Sequence, residues 1–312
     1  MVHWIQDIQK QCQPNGFFQR QSLQSRKPKR LRQAKRKRKT FLLSHTAPKR
    51  RQPRKRCRLP HISFSELKLW DQCAYYHKLI KINKLKGFVG NEFTAFGNAV
   101  HNVCENILLQ TRRNPEEVFL SSFIKIIDGL AEDGVPMDQK LIDDMGEQGL
   151  SLLPEIKGAL DLYFDDYKVI SAEENLMVPI DEEDYMFKGF IDGVVKTSDG
   201  KYHIFDWKTC SWGWDQRRKS DPMTTYQLTL YKHFYAKKHG IDPKNIETHF
   251  ALLKRTAKKN KVEFFRVTSG DLKTKRAMGL LTKAIKNIKS GTCIKNRLAC
   301  QKCEFNKTVH CT

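Results

Sequence analysis

Residues 187–210 read FKGFIDGVVKTSDGKYHIFDWKTC. Two runs rich in β-branched and aromatic residues flank Ser198-Asp199-Gly200, a pattern that predicts an antiparallel hairpin closed by a tight turn. The hairpin reads as buried, yet it carries Asp192, Asp206 and Lys208. Period-two alternation places Phe187, Gly189, Ile191 and Gly193 on one side of the first strand, and Phe190, Asp192 and Val194 on the other. On the second strand Tyr202, Ile204, Asp206 and Lys208 share a face. Pairing across the turn brings both carboxylates and the lysine to one end of a sheet.

The hairpin sits in a larger alternation of elements. Ser63-Phe-Ser-Glu66 has the form of a capping box and predicts a helix to about Lys81. Further helices are expected over about 94–110, 115–130 and 139–168, the first with Phe96, Val100, Val103 and Ile107 at helical spacing. Strands are expected at 174–180, 185–196 and 201–208, then a helix at 222–239, strands at 246–254 and 261–267, and a Lys-rich helix over 270–289. Helices first, then a meander, a helix and more strands indicate a mixed α/β core.

Carboxylates held close together repel unless a proton or a cation lies between them. A hard divalent cation with oxygen ligands is the natural neutraliser, and a lysine two residues after a metal-binding aspartate lies on the same strand face. There it can orient or help deprotonate a water and stabilise charge on a phosphate, which is the equipment of metal-assisted phosphodiester hydrolysis. An isolated D-x-K is also compatible with a surface ion pair, so the surrounding motifs decide.

Those motifs are S-F-S-E-L-K-L-W-D-Q-C from Ser63, F-G-N-A-V-H ending at His101, G-F-I-D, I-F-D-W-K-T, and Gln227-Leu-Thr-Leu-Tyr231. Together they resemble the PD-(D/E)XK nuclease superfamily, and within it the RecB-like and CRISPR-adaptation-type exonucleases, over about residues 61–311. The resemblance implies a restriction-endonuclease-like core: a mixed central sheet flanked by helices, with an N-terminal helical region over 61–170, a catalytic α/β core over 171–290 and a Cys-rich C-terminal clip over 291–312. It implies that His101, Asp192, Asp206 and the Trp207 carbonyl hold Mg²⁺ or Mn²⁺ and that Lys208 positions the water. Gln227 and Tyr231 would orient Lys208 or touch the DNA backbone, and an additional Glu of the preceding strand would be Glu173 or Glu174, with Glu174 preferred. The implied activity is a DNA exonuclease acting on single strands or ends in recombination, repair or replication, alongside proteins of those processes. A structure-selective endonuclease and an inactive DNA-binding relative are the alternatives.

Two further features bear on binding. Trp212 and Trp214 of the S-W-G-W loop could stack on bases or simply pack, and Arg217, Arg218 and Lys219 follow as candidate phosphate contacts. Among nine cysteines, Cys293, Cys300, Cys303 and Cys311 cluster near the C-terminus. A C-x₂-C with a further Cys nearby is a metal signal in a reduced compartment. By resemblance to the iron–sulfur members of the family, Cys73 with Cys300, Cys303 and Cys311 would hold a [4Fe–4S] cluster. Four local thiols with Cys293, or His310, could instead hold Zn²⁺.

Charge is uneven. The net +23 arises mainly in residues 1–60, which carry 19 Lys or Arg against Asp7 alone; the remainder has 38 basic and 33 acidic residues. That segment is expected to be a disordered tail, serving as a DNA-contacting arm, a nuclear-type or organelle address, or nothing beyond solvation. No apolar run approaches the ~18 residues of a membrane span, and no secretory apolar core is visible. An intracellular, cytoplasmic setting is expected, with nucleus or organelle as alternatives.

Overall fold

A computed structural model describes residues 59–312. The tail expected over residues 1–60 lies outside the described residues except for its last two positions. A short strand β1 (His61–Ser63) leads into α1 (Phe64–Gln72) and α2 (Ala74–His77), then a wide turn over Lys78–Ile82. Three long helices follow: α3 (Glu92–Leu108), α4 (Pro115–Glu132) and α5 (Gln139–Phe164). The sheet then begins with β2 (Tyr167–Pro179), β3 (Met186–Thr197) and β4 (Tyr202–Cys210). After α6 (Gln216–Ser220) and α7 (Pro222–His239) come β5 (Ile246–Lys254), β6 (Val262–Val267) and α8 (Asp271–Lys289). No helix of the described residues is long and apolar enough to cross a membrane.

The sheet is six-stranded and mixed, with the path β1-β3-β4-β5-β6 and β2 on the other edge of β3. β3 pairs antiparallel with β2 along its whole length, but with β4 only from Gly193↔Phe205 to Lys196↔Tyr202. Beyond that point β4 leaves β3 to run parallel with β5, and β1 takes the vacated edge of β3 at Met186–Lys188. The two hairpin strands therefore splay apart at Asp192 and Asp206. The splay creates the site.

Two cores cover the sheet. Phe187, Ile191, Val194 and Ile204 pack with α1, α7 and α8 through Leu67, Trp70, Leu228, Phe234 and Leu281. On the other face Val195, Phe205, Trp207, Ala251 and Leu253 pack with α3, α4 and α5 through Phe96, Val100, Phe119 and Leu152. The helices thus flank the sheet on both sides, as expected for this fold.

Three expectations change. The single helix over 63–81 breaks at Cys73, whose extended backbone (φ −164°, ψ 111°) ends α1 and caps α2. Ser63 Oγ accepts the Glu66 N–H at 3.2 Å, but the Glu66 carboxylate goes to the buried His77 at 2.9 Å rather than closing a capping box. The alternation on β3 also fails, since Ile191 and Val194 enter the same core. The register places Glu173 of β2 across from Asp192, between Ala172↔Gly193 and Glu174↔Ile191, and Glu173 has a left-handed φ of 50°.

Candidate active site

Asp192 lies where β3 loses its β4 partner, and its Oδ2 accepts the now unpaired Trp207 N–H at 2.7 Å. Asp206 is buried beside it on β4. Asp206 Oδ1 accepts from Gln227 Nε2 at 2.6 Å, while Oδ2 is paired with the Lys208 ammonium. Gln227 also reaches Tyr231 Oη at 3.3 Å, one turn along α7. Tyr231 fits because residue 189 is glycine: a Cβ there would stand 2.8 Å from the Tyr231 ring.

The opposite layer brings His101. Asn91 and Thr94 form a reciprocal capping box that fixes the start of α3, and Gly97 lets the helix pass close to Thr209 at the end of β4. One further turn places His101 Nδ1 3.7 Å from Asp192 Oδ2. His101, Glu173 and Asp192 each offer a ligand atom, all within 4.8 Å of one another. The structure brings Glu173, not the preferred Glu174, to this position. Glu174 faces away, where Ser171, Lys238 and His239 take its carboxylate.

Electrostatics follow from this packing. Burial, then the charge of Asp206, pushes the Asp192 carboxyl well above its ordinary range. Burial, then Glu105 and Asp206, raises Glu173. Burial pulls His101 down, which leaves a neutral imidazole. The hydroxyl of Tyr231 is raised by burial and by Asp206, so it stays protonated. Several carboxylates therefore share a poorly solvated space with one neutral histidine and one lysine. Without a cation they cannot all ionise at low cost.

A sequence model of the PD-(D/E)XK nuclease superfamily matches residues 61–308. The chain belongs to that superfamily. Among solved structures, a protein named as an exonuclease from Eubacterium rectale is similar with a TM-score of 0.53 at 14% identity, over 78% of this chain and 86% of that one. LHK-Exo in complex with dAMP matches at a TM-score of 0.28 and 11% identity, over 64% of this chain and 93% of that one. The first likeness shows the fold. No curated protein matches the sequence significantly.

PD-(D/E)XK nucleases use divalent metals, and the donor set here fits one. His101, Glu173 and Asp192 offer an imidazole nitrogen and two carboxylate oxygens within 4.8 Å of one another, and the buried Asp206 carboxylate raises the negative charge beside them. Oxygen-rich ligation of this kind suits Mg²⁺ or Mn²⁺.

The S-W-G-W loop splits into two roles. Trp214 is buried against Phe250 and Phe265, with the Arg218 guanidinium 4.4 Å from its ring centre. Trp214 is therefore packing, not a base platform. Trp212 is 75% exposed and stands free. Lys219 is tied to Glu263 and lies over Phe265, which removes it as a free phosphate contact, whereas Arg217 and Arg218 are exposed.

At the other end of the chain Cys73, Cys300, Cys303 and Cys311 line one cavity with Tyr76 and Leu79. Cys293 is not in its wall. Cys73 Sγ accepts the Asn296 and Tyr76 N–H groups at 3.4 and 3.5 Å. The break of the first helix at Cys73 is what turns this thiol into the cavity. Cys104 is fully buried on α3, and burial pushes its thiol well up, as a packing residue.

Proposed function

We propose that the chain is a Mg²⁺- or Mn²⁺-dependent deoxyribonuclease, acting as an exonuclease on single-stranded DNA or DNA ends in recombination, repair or replication. One observation carries the reading. Asp192, Asp206 and Lys208 meet at a strand splay, where the buried Asp206 carboxylate is held between Gln227 and the Lys208 ammonium.

His101, Glu173, Asp192, Asp206 and the Trp207 carbonyl would hold the cation. When bound, it would polarise the scissile phosphate and make water a better nucleophile. Lys208 holds the attacking water and balances the charge that develops on the phosphate. Gln227 fixes the Asp206 carboxylate, and so the Lys208 ammonium beside it. Tyr231, kept protonated, offers a donor rather than a charge. The exposed Trp212 would stack on an unpaired base, with Arg217 and Arg218 of the neighbouring α6 contacting phosphates.

The thiol-lined cavity is read as a [4Fe–4S] site held by Cys73, Cys300, Cys303 and Cys311, which clips α1 to the C-terminal segment.

The test is a time course with Mg²⁺ or Mn²⁺ on 5′- and 3′-labelled single- and double-stranded DNA. Progressive shortening from an end supports the reading. Cutting of closed circular DNA at a comparable rate rejects exonucleolytic action.

A further inference from the structure

A second cluster of metal-type side chains lies outside the nuclease site, near the start of β4 and β5. His203 pairs in register with Glu247, and His249 follows two residues later on the same face of β5. His203 and His249 are buried. The ring of Phe164 stands 5.2 Å from one and 5.4 Å from the other.

We propose that His203, Glu247 and His249 form a separate site for one divalent transition-metal cation of the zinc class, held by two imidazole nitrogens and one carboxylate oxygen. The three ligand atoms lie within 4.8 Å of one another. His203 Nδ1 and His249 Nε2 are 3.1 Å apart. Two imidazoles on a tetrahedral zinc, with bonds of about 2.05 Å, hold their nitrogens about 3.3 Å apart. The pair therefore needs to open by only a few tenths of an ångström.

The outer hydrogen bonds set which nitrogens carry lone pairs. Thr197 has one hydroxyl hydrogen, and it is given to the Asp199 carboxylate, which can only accept. The Thr197 oxygen, 3.0 Å from His203 Nε2, is then an acceptor there, so Nε2 carries the proton. The lone pair of a neutral His203 is left on Nδ1, where it accepts the His249 Nε2–H; a cation would take the place of that proton, and His249 would then carry its proton on Nδ1. His249 Nδ1 meets Tyr163 Oη at 3.1 Å, and a phenol can accept from an N–H as readily as it donates. Such hydroxyl partners behind each ring are the usual orienting contacts of metal-bound histidine.

The carboxylate is held in the same way. Glu247 Oε1 takes Arg266 at 3.2 Å and Lys201 at 3.3 Å, which leaves Oε2 turned toward His203 Nδ1 at 3.9 Å. Two nitrogens and one oxygen match zinc better than magnesium. A cation there would tie β4 to β5 beneath the end of α5, away from the splay at Asp192.

The experiment uses the full-length protein carrying Asp192→Asn, which weakens cation binding at the nuclease site. It is dialysed against Zn²⁺, and bound zinc is counted by mass spectrometry. The same is done with His203→Gln, His249→Gln or Glu247→Gln added. The expected result is one equivalent of zinc fewer in each histidine variant, at least tenfold weaker zinc binding in the Glu247 variant, and loss of the zinc-dependent rise in melting temperature. Loading with Co²⁺ should add visible d–d absorption without sulfur-to-metal charge transfer, and the substitutions should remove it. Equal zinc content and equal thermal response in parent and variants would overturn the proposal. If a histidine variant fails to fold, the Glu247 variant and the parent's cobalt spectrum decide; a spectrum of thiolate type alone also overturns it.

Discussion

Glu173 stands across the β2–β3 ladder from Asp192 with a left-handed φ of 50°, a conformation that costs a non-glycine residue of order 1 kcal/mol. The strain turns a carboxylate into the site. Glu173→Gly should therefore stabilise the metal-free protein by about 1 kcal/mol while lowering nuclease activity by about a hundredfold, in line with the cost of losing a positioned charged group. Glu174→Gln should do the reverse: near-normal activity, with stability lowered by about 1–3 kcal/mol because Lys238 and His239 lose their carboxylate. Thermal melts and initial rates on labelled DNA check both.

Asp192 gives a pH signature to the metal-free protein. Its folded pKa is raised above that of the unfolded chain by burial and by Asp206, so the folded state binds the extra proton. The resulting stability is present in full below the unfolded pKa of about 3.8 and is lost as pH rises through the folded pKa. Asp192→Asn should remove that loss, raise metal-free stability at neutral pH by about 1–3 kcal/mol, and abolish the rise in melting temperature that Mg²⁺ gives the parent. Melting curves with and without Mg²⁺ across pH provide the comparison.

The two tryptophans should separate cleanly. Trp214→Ala removes a ring buried on Phe250 and Phe265, so it should cost about 3–5 kcal/mol. Trp212→Ala should leave stability unchanged and weaken single-stranded DNA binding by about 1–3 kcal/mol. Denaturant titration and fluorescence anisotropy measure the two effects.

The thiols make a prediction in colour. Anaerobically purified protein should be brown with absorption near ~400 nm, a property of thiolate-bound iron–sulfur clusters. Cys73→Ser and Cys300→Ser should bleach it, whereas Cys293→Ser, outside the cavity wall, should not. A colourless protein with stoichiometric zinc in that cavity would reject the cluster.

Much of the site could be read from the chain because its residues lie on long regular elements. Helical spacing predicts the helix that carries His101, and period two places Asp206 and Lys208 on one face of β4. What escaped was local. Glu173 and Glu174 are adjacent, and only a positive φ, invisible to alternation, decides which one enters the site. β1 is three residues long, too short for any periodic signal, yet it fills the edge that β4 vacates. Trp212 and Trp214 are equivalent in S-W-G-W until Phe250 and Phe265 arrive from strands about forty residues later. At the helix break, Cys73 Sγ takes both a local N–H, from Tyr76, and one from Asn296 over two hundred residues later.

Asp206 and Lys208, joined at the splay, are proposed to perform metal-dependent DNA hydrolysis. The most direct measurement compares purified parent, Asp206→Ala and Lys208→Ala on end-labelled single-stranded DNA with Mg²⁺ or Mn²⁺, with circular dichroism to confirm that each is folded. Degradation by the parent and a loss of at least about a thousandfold in both variants are expected. Activity that survives both substitutions in folded protein would contradict the proposal.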